Sequence, residues 1–283
     1  MSNCIYVLGG RAIHIPQSFG IMGIVNCTPD SFYTPSRCSP GTDAVTRALA
    51  LRDQGADILD LGGESSRPGS SEIPAPVEIA RLLPLVQNLR HRSSGTILSL
   101  DTWKAKTAAV LLEAGVEIIN DISATAWDPE LLDVLVQYKP GYVLMHSPDI
   151  PKTMQNAPAY ADVVGTVLEF FERMLARLTA AGLPEKHILL DPGIGFGKNL
   201  AHNRALLQHI DRFHCFGRPL LVGLSMKSLF ADLLGLELHE RGWATQLASA
   251  LLWEKGVFWH RVHDVRATRQ ALILAENLCT EHK

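Results

Sequence analysis

Several things are scarce or missing in this sequence. Cysteine is sparse: Cys4, Cys27, Cys38, Cys215 and Cys279 are scattered, odd in number and never spaced as C-x-x-C. That argues against a disulfide framework or a thiolate metal site, and it fits free thiols in a reducing cytoplasm. Aromatic residues make up only 7% of the chain. Trp243, Trp253, Phe258 and Trp259 are too dispersed for a base-stacking platform, so packing is their expected role. No apolar run reaches the roughly 18–20 residues of a membrane span. The opening MSNCIYVLGGRAIHI has no basic segment followed by a long apolar one, so no secretory signal is expected. Positive charge is not in excess: the net charge is −3 and the pI about 6.4. Nucleic acid and anionic membrane are therefore not expected partners, although a local site for one small anion stays open. Neither G-x-S-x-G nor H-E-x-x-H occurs, which speaks against an elbow-type serine nucleophile and a zinc helix. There is no repeat, low-complexity tract or Gly/Ser linker.

What is present is enough apolar material for a core, 47% of 283 residues with 19% charged. A short apolar run followed by a helix-like stretch recurs along the chain. The runs are 21–25, 58–61, 97–100, 118–119, 142–145, 188–190, 220–224 and 257–259. They are near-continuously apolar, as expected of parallel strands buried on both faces. Helical periodicity occupies 43–54, 76–90, 104–114, 129–137, 160–181, 201–210, 244–254 and 265–278. Gly55, Gly115 and Gly182 fall where left-handed helix ends are expected. This is an α/β pattern. Eight strand–helix units read as a single (β/α)8 TIM barrel, one domain over residues 1–283, with residues 1–17 as an N-terminal β-hairpin capping the bottom. An open doubly wound sheet is the weaker reading, because no G-x-G-x-x-G follows the first run.

In such a barrel the strand C-terminal ends form the functional face. Every run here ends in polar residues. They are Asn26 with Thr28 to Ser31, Gly62 to Gly69, Asp101-Thr102, Asn120-Asp121, His146, Asp191 to Lys198, Ser225 to Ser228, and Arg261 to Asp264. Two carboxylates and an amide, Asp101, Asp191 and Asn120, suit the edge of a flat heterocycle carrying several N–H groups. Lys227, Arg261 and His263 could hold an anion. Glu64 is expected to orient the second loop and Lys198 to lie on the surface. Asp121 and Asp264 read as supporting or helix-capping residues. His146 fits a structural role as well as a contact.

These strings together resemble the bacterial dihydropteroate synthase family. They are IMGIVNCTPDSF (21–32), DILDLGGESSRPG (57–69), SLDTWK (99–104), IINDIS (118–123), MH (145–146) with PKTMQ (151–155), LDPGIGFGK (190–198), GLSMKS (223–228) and RVHD (261–264), in family order over nearly the whole chain. The resemblance implies a barrel enzyme of folate synthesis. It would join 6-hydroxymethyl-7,8-dihydropterin diphosphate to 4-aminobenzoate and release diphosphate. By position, Asp101, Asn120, Asp191 and Lys227 would hold the pterin ring. Asn26, Arg261 and His263 would hold the diphosphate, with Mg2+ at Asn26. Ser66, Arg67 and Pro68, with Ser228, would shape the 4-aminobenzoate site. Thr28 and Asp30 would belong to a first loop that closes over the reaction, so that Thr28, Asp30, Ser66, Arg67 and Lys227 form the expected catalytic set. The family also implies a homodimer through the last helices, with Leu247, Leu251 and Leu252 as candidates, and sulfonamide sensitivity.

Three positions depart from the family pattern. Thr34 stands where a loop aspartate is usual, Met226 where an arginine is usual, and Ser66 where threonine is usual. The first two feed an alternative, a non-catalytic pterin-binding homologue with a degenerate first loop. A methyltetrahydrofolate-type methyltransferase should lack the Thr-Pro-Asp-Ser-Phe and Ser-Arg-Pro-Gly strings, and both are here.

Overall fold

The computed structural model describes residues 4–8, 11–27, 42–64, 72–93, 95–149, 153–154 and 158–279. Two short strands come first, β1 (Cys4–Leu8) and β2 (Arg11–Ile15), paired antiparallel. Then β3 (Gly20–Asn26), β4 (Ile58–Gly62), β5 (Ile97–Asp101), β6 (Ile118–Asp121), β7 (Gly141–Met145), β8 (Ile188–Asp191), β9 (Leu221–Val222) and β10 (Trp259–Val262) form one parallel sheet in the order β8-β7-β6-β5-β4-β3-β10-β9. A parallel bridge between Leu190 and Leu220 brings the two edges together, so the barrel is nearly closed. Helices α1 (Thr42–Asp53), α2 (Ala75–Arg92), α3 (Ala105–Glu113), α4 (Leu131–Tyr138), α5 (Val163–Ala181), α6 (Leu200–Gln208), α7 (Leu229–Leu234), α8 (Arg241–Glu254) and α9 (Val265–Cys279) lie between and after the strands. Among the described residues no helix is long and apolar enough to cross a membrane.

The expected barrel is thus observed, with three boundary corrections. The last strand is Trp259–Val262, not 257–259. Val257 and Phe258 are apolar because they fill the core ahead of the strand, while Gly256 turns the chain with φ +86°. The seventh run, 220–224, contributes only Leu221–Val222 as a strand, with Leu220 reduced to the single bridge to Leu190. The six-residue α7 had no periodic signal of its own.

Side-chain alternation along the strands sets up the chemistry. One parity packs outward on the helices: Leu59 and Leu61, Leu98 and Leu100, Ile119, Leu144, Ile188 and Leu190 belong to the large core. The other parity turns inward. At the strand starts it is apolar: Met22, Ile58, Ile97, Ile118, Val143, Leu189, Leu221 and Trp259 form an inner plug, joined by Ile15 and Phe258. Gly20 is required beside it, because a Cβ there would lie 2.4 Å from the Trp259 ring. Two and four residues on, the inward positions become Asp60, Ser99, Asp101, Asn120, Asp191, Asn26 and Arg261. The plug therefore floors a polar chamber that opens at the strand C-terminal ends.

Candidate functional site

The polar positions meet in one layer. Asn26, Gly62, Asp101 and Asn120 stand in register on β3, β4, β5 and β6 and make a rung across four neighbouring strands. Gly62 matters for what it leaves out. A Cβ there would lie 3.4 Å from the Asn26 Oδ1 and 3.9 Å from the Asp101 Oδ2, so these two oxygens border the same small space.

One rung lower, Asp60 is fully buried and organises its neighbours. Its Oδ2 accepts from the Arg261 Nε at 2.6 Å and from the Asn120 Nδ2 at 3.0 Å. The Arg261 Nη2 donates to the Asp101 Oδ2 at 2.6 Å. Four side chains from four strands thus share one hydrogen-bonded network. Burial works against the Arg261 charge, but the carboxylates of Asp60 and Asp101 outweigh it and hold the guanidinium firmly protonated. Burial pushes the Asp101 carboxyl up to about 7; Arg261 opposes the rise, and the carboxylates of Asp60, Glu78 and Asp121 add to it.

Across the chamber, the Asp191 Oδ1 accepts from the Gly193 amide at 2.7 Å. Burial raises its carboxyl, and the nearby Lys227 ammonium partly offsets this. Lys227 donates to the Ile194 carbonyl and sits 4.5 Å from the centre of the Phe196 ring. Burial lowers Lys227 to about 8, against the pull of Asp191. At the rim, Ser225 Oγ lies 2.9 Å from His263 Nδ1 and accepts from the His263 amide at 3.2 Å. The Arg47 Nη2 donates to the His263 carbonyl at 2.9 Å. Ser228 is exposed at the start of α7, its carbonyl accepting from the Asp232 amide at 3.0 Å.

The structure therefore brings Asn26, Asp101, Asn120, Asp191, Lys227, Arg261 and His263 to one mouth. Thr28, Asp30, Thr34, Ser66, Arg67 and Pro68 lie outside the described residues. The stem of the second loop is described and is pinned from below. Glu64 pairs with Lys104, a buried lysine whose Nζ also lies 3.4 Å from the Glu78 Oε2. Glu78 accepts as well from Thr102 and Thr107, at 3.2 and 2.8 Å. Asp121 accepts from the Ser123 and Thr125 amides, both at 2.7 Å, and Asp264 from the Ala267 amide at 3.0 Å, which are the supporting and capping roles their positions suggested.

Two expectations need correcting. Lys198 is not a surface lysine: it is buried, with its ammonium inside the loop after β8. Leu252 is buried in the core, so it is not part of an exposed face. Asp60 lies inside the apolar run 58–61, where a carboxylate in a strand buried on both faces is itself a signal of function that the strand-end pattern does not carry. Ser225 belongs to the polar end of the seventh run, but nothing in the sequence pairs it with His263, which it engages twice.

The chain matches the family model described as pterin binding enzyme over residues 22–263. It is 40% identical over 256 residues to the dihydropteroate synthase of Escherichia coli strain K12, covering 90% of each chain. Among solved structures, Yersinia pestis dihydropteroate synthase in complex with a sulfonamide drug superposes with a TM-score of 0.89 at 35% identity, covering 98% of this chain and 99% of that one. Xanthomonas albilineans dihydropteroate synthase with 4-aminobenzoic acid does so with a TM-score of 0.88 at 35% identity, covering 99% of each.

Proposed function

The chain belongs to the dihydropteroate synthase family of pterin-binding enzymes, and we propose that it uses this chamber to join 4-aminobenzoate to 6-hydroxymethyl-7,8-dihydropterin diphosphate. The observation that carries the reading is the inward set Asp101, Asn120 and Asp191 facing Lys227 and Arg261 within an apolar-floored mouth. The family membership favours synthesis over the methyltransferase and over the non-catalytic binder.

In this reading Asp191, Asp101 and Asn120 accept from and donate to the ring edge, while Lys227 bonds an acceptor on it. Arg261 and His263 face the diphosphate end. The bond between the exocyclic carbon and the diphosphate oxygen breaks first, and positive charge develops on a carbon that the electron-rich dihydropterin can stabilise. The neutral arylamine nitrogen then attacks that carbon and loses a proton to water or the departing diphosphate, so no strong general base is needed. The first and second loops, with Thr28, Asp30, Ser66, Arg67 and Pro68, exclude water and seat the amine. Asn26 would hold Mg2+ through its neutral side-chain oxygen; the neighbouring Asp101 Oδ2 is already taken by Arg261, so the remaining ligands would be substrate phosphate and water, as is common for Mg2+. When bound, the ion would neutralise charge on the leaving diphosphate.

The test is direct. Purified protein with Mg2+, the pterin diphosphate and 4-aminobenzoate should release diphosphate and form a product with the mass of dihydropteroate. Pterin binding with no such product would overturn the synthase reading.

A pH dependence follows from two of the groups. Below about 7 Asp101 gains a proton and stops accepting from the ring; above about 8 Lys227 loses its positive charge. Pterin affinity is therefore expected to be bell-shaped with its maximum between these limbs. Titration calorimetry across pH should show Asp101→Asn removing the acid limb and Lys227→Met the alkaline one. A flat profile for the wild type would contradict the assignment.

The reading also includes a cytoplasmic homodimer. Trp243, Leu247 and Leu251 repeat every fourth residue along α8 and are each more than half exposed, and Leu274 and Leu278 extend the face on α9. A second copy would cover this face. Leu251→Asp is expected to halve the mass seen by sedimentation at micromolar concentration, and an unchanged mass would move the interface elsewhere.

A further inference from the structure

His263 faces the diphosphate end in the reading above, and the structure fixes it by more than its place just after β10. Three contacts converge on it. Its amide donates to the Ser225 Oγ at 3.2 Å, and its Nδ1 lies 2.9 Å from the same oxygen. Its carbonyl accepts from the Arg47 Nη2 at 2.9 Å. Ser225 comes from the loop after β9, 38 residues earlier, and Arg47 from α1, 216 residues earlier. None of the steps above uses either residue.

Ser225 is itself firmly mounted. It stands in a turn that the Lys227 amide closes on the Leu224 carbonyl at 3.2 Å. The next residue, Met226, has a left-handed backbone, φ +63°, which a residue with a side chain holds only when its surroundings enforce it. Here α8 enforces it. The Met226 amide donates to the Thr245 Oγ1 at 3.4 Å, and its carbonyl accepts from the Arg241 Nη1 at 3.1 Å. Thr245 is buried and donates onward to the Arg241 carbonyl at 2.8 Å. Residue 226 thus serves the turn through its main chain, so methionine in place of the usual arginine leaves this mount intact.

The Ser225 oxygen accepts from the His263 amide, which leaves its own proton for Nδ1. Nδ1 then accepts, and a neutral imidazole carries its proton on Nε2. In the protonated ring, Nδ1–H would donate to the same oxygen, and Nε2 would still carry a proton. We propose that Ser225, with Arg47, is a positioning residue for His263, holding the ring so that Nε2–H donates to the leaving diphosphate. This rests on the diphosphate reading given above. A mere staple of the fold would lower stability and weaken pterin and diphosphate alike. A positioning residue weakens the diphosphate end, and it does so only through His263.

The experiment compares Ser225→Ala, Ser225→Thr, Arg47→Met, His263→Ala and the double variant Ser225→Ala/His263→Ala with the wild type. Calorimetry reads the Kd of inorganic diphosphate with Mg2+ and the Kd of 6-hydroxymethylpterin, and thermal unfolding reads Tm. Ser225→Ala is expected to weaken diphosphate binding about tenfold and to keep the pterin Kd within about threefold. The pterin side should hold because neither the bond that closes the turn nor the Lys227 bond to Ile194 uses the Ser225 hydroxyl. Ser225→Thr, which keeps that hydroxyl, should recover most of the loss. Arg47→Met should weaken diphosphate binding about threefold. On the His263→Ala background, Ser225→Ala should add less than about twofold, because its route to the anion is already gone. Should Ser225→Ala fail to fold, Arg47→Met alone and combined with His263→Ala carries the same comparison. Equal losses on the two backgrounds, unchanged diphosphate affinity in Ser225→Ala, or an equal loss of pterin affinity would each overturn the proposal. A wild type that binds diphosphate without making dihydropteroate would overturn the synthase reading while the Kd comparison still decides this one. A wild type that binds no diphosphate would overturn both the diphosphate reading and this proposal.

Discussion

Asp60→Asn is expected to cost about 3 kcal/mol of stability and about a hundredfold in kcat/KM, although Asp60 was not among the residues that the sequence motifs singled out. The carboxylate is wholly enclosed and answers two donors, Arg261 at 2.6 Å and Asn120 at 3.0 Å. Removing its charge leaves the guanidinium with the Asp101 contact and the more distant charge of Asp191. Breaking one partner out of a buried pair costs roughly 3–5 kcal/mol, and the remaining Asp101 contact argues for the lower end. For a chain of this size that is roughly 6–10 °C in Tm. Activity should fall further than stability explains, because Asn120 and Arg261 would each lose the contact that fixes their rotamer. A triple variant separates the two effects. Asp60→Leu combined with Arg261→Met and Asp101→Leu replaces the whole ion cluster by apolar bulk, and such exchanges are often neutral for folding. It should recover most of the lost Tm and none of the pterin affinity. A single variant with Tm within about 2 °C of the wild type would show that Asp60 does not anchor the network.

The reason Asp60 escaped notice says how much of this molecule is legible in its residues. The eight apolar runs were readable because burial on both faces makes them dense, and the order of the strand-end motifs was readable because it is specific. Density, however, hides parity. In Ile58-Leu-Asp-Leu61 the two leucines face helices and the aspartate faces the chamber, a distinction that emerges only once the strands are in register. The same applies to Val257 and Phe258, which carry the apolar signal of a strand but fill the core, so Arg261 was placed beyond the strand when it lies within it. Lys198 shows a different limit. Three glycines near a lysine suggest an exposed, pliable loop; the left-handed turns that wind it around the ammonium are not encoded in any spacing. Its partner His146 comes from another strand 52 residues earlier, and no local pattern links them. The chamber's carboxylates, by contrast, were read in place, since a carboxylate at the end of an apolar run has few reasons to be there.

Asp191→Asn is the second large effect, and it should separate binding from folding. One carboxylate oxygen already accepts from the Gly193 amide at 2.7 Å. An asparagine keeps that bond only by pointing its carbonyl oxygen at Gly193, which turns its NH2 toward the ring. Donor then meets donor, so the variant loses charge assistance and gains a repulsion. A loss of about 2–3 kcal/mol for a charged hydrogen bond corresponds to pterin binding weaker by roughly 30- to 100-fold. Stability should move the other way or not at all. A carboxyl whose pKa is raised on folding, here by burial first, contributes stability while it is protonated and loses that contribution as pH rises through the raised value. Above that raised value the ionised Asp191 therefore works against the fold, with Lys227 partly offsetting the cost. Replacing it with a neutral amide removes that cost, so Tm should hold or rise while the Kd climbs. Calorimetry and thermal unfolding on one preparation would read both. A variant that lost Tm and pterin affinity together would mean that Asp191 serves the loop before the ligand, and the ring would then have to be held mainly by Asp101 and Asn120.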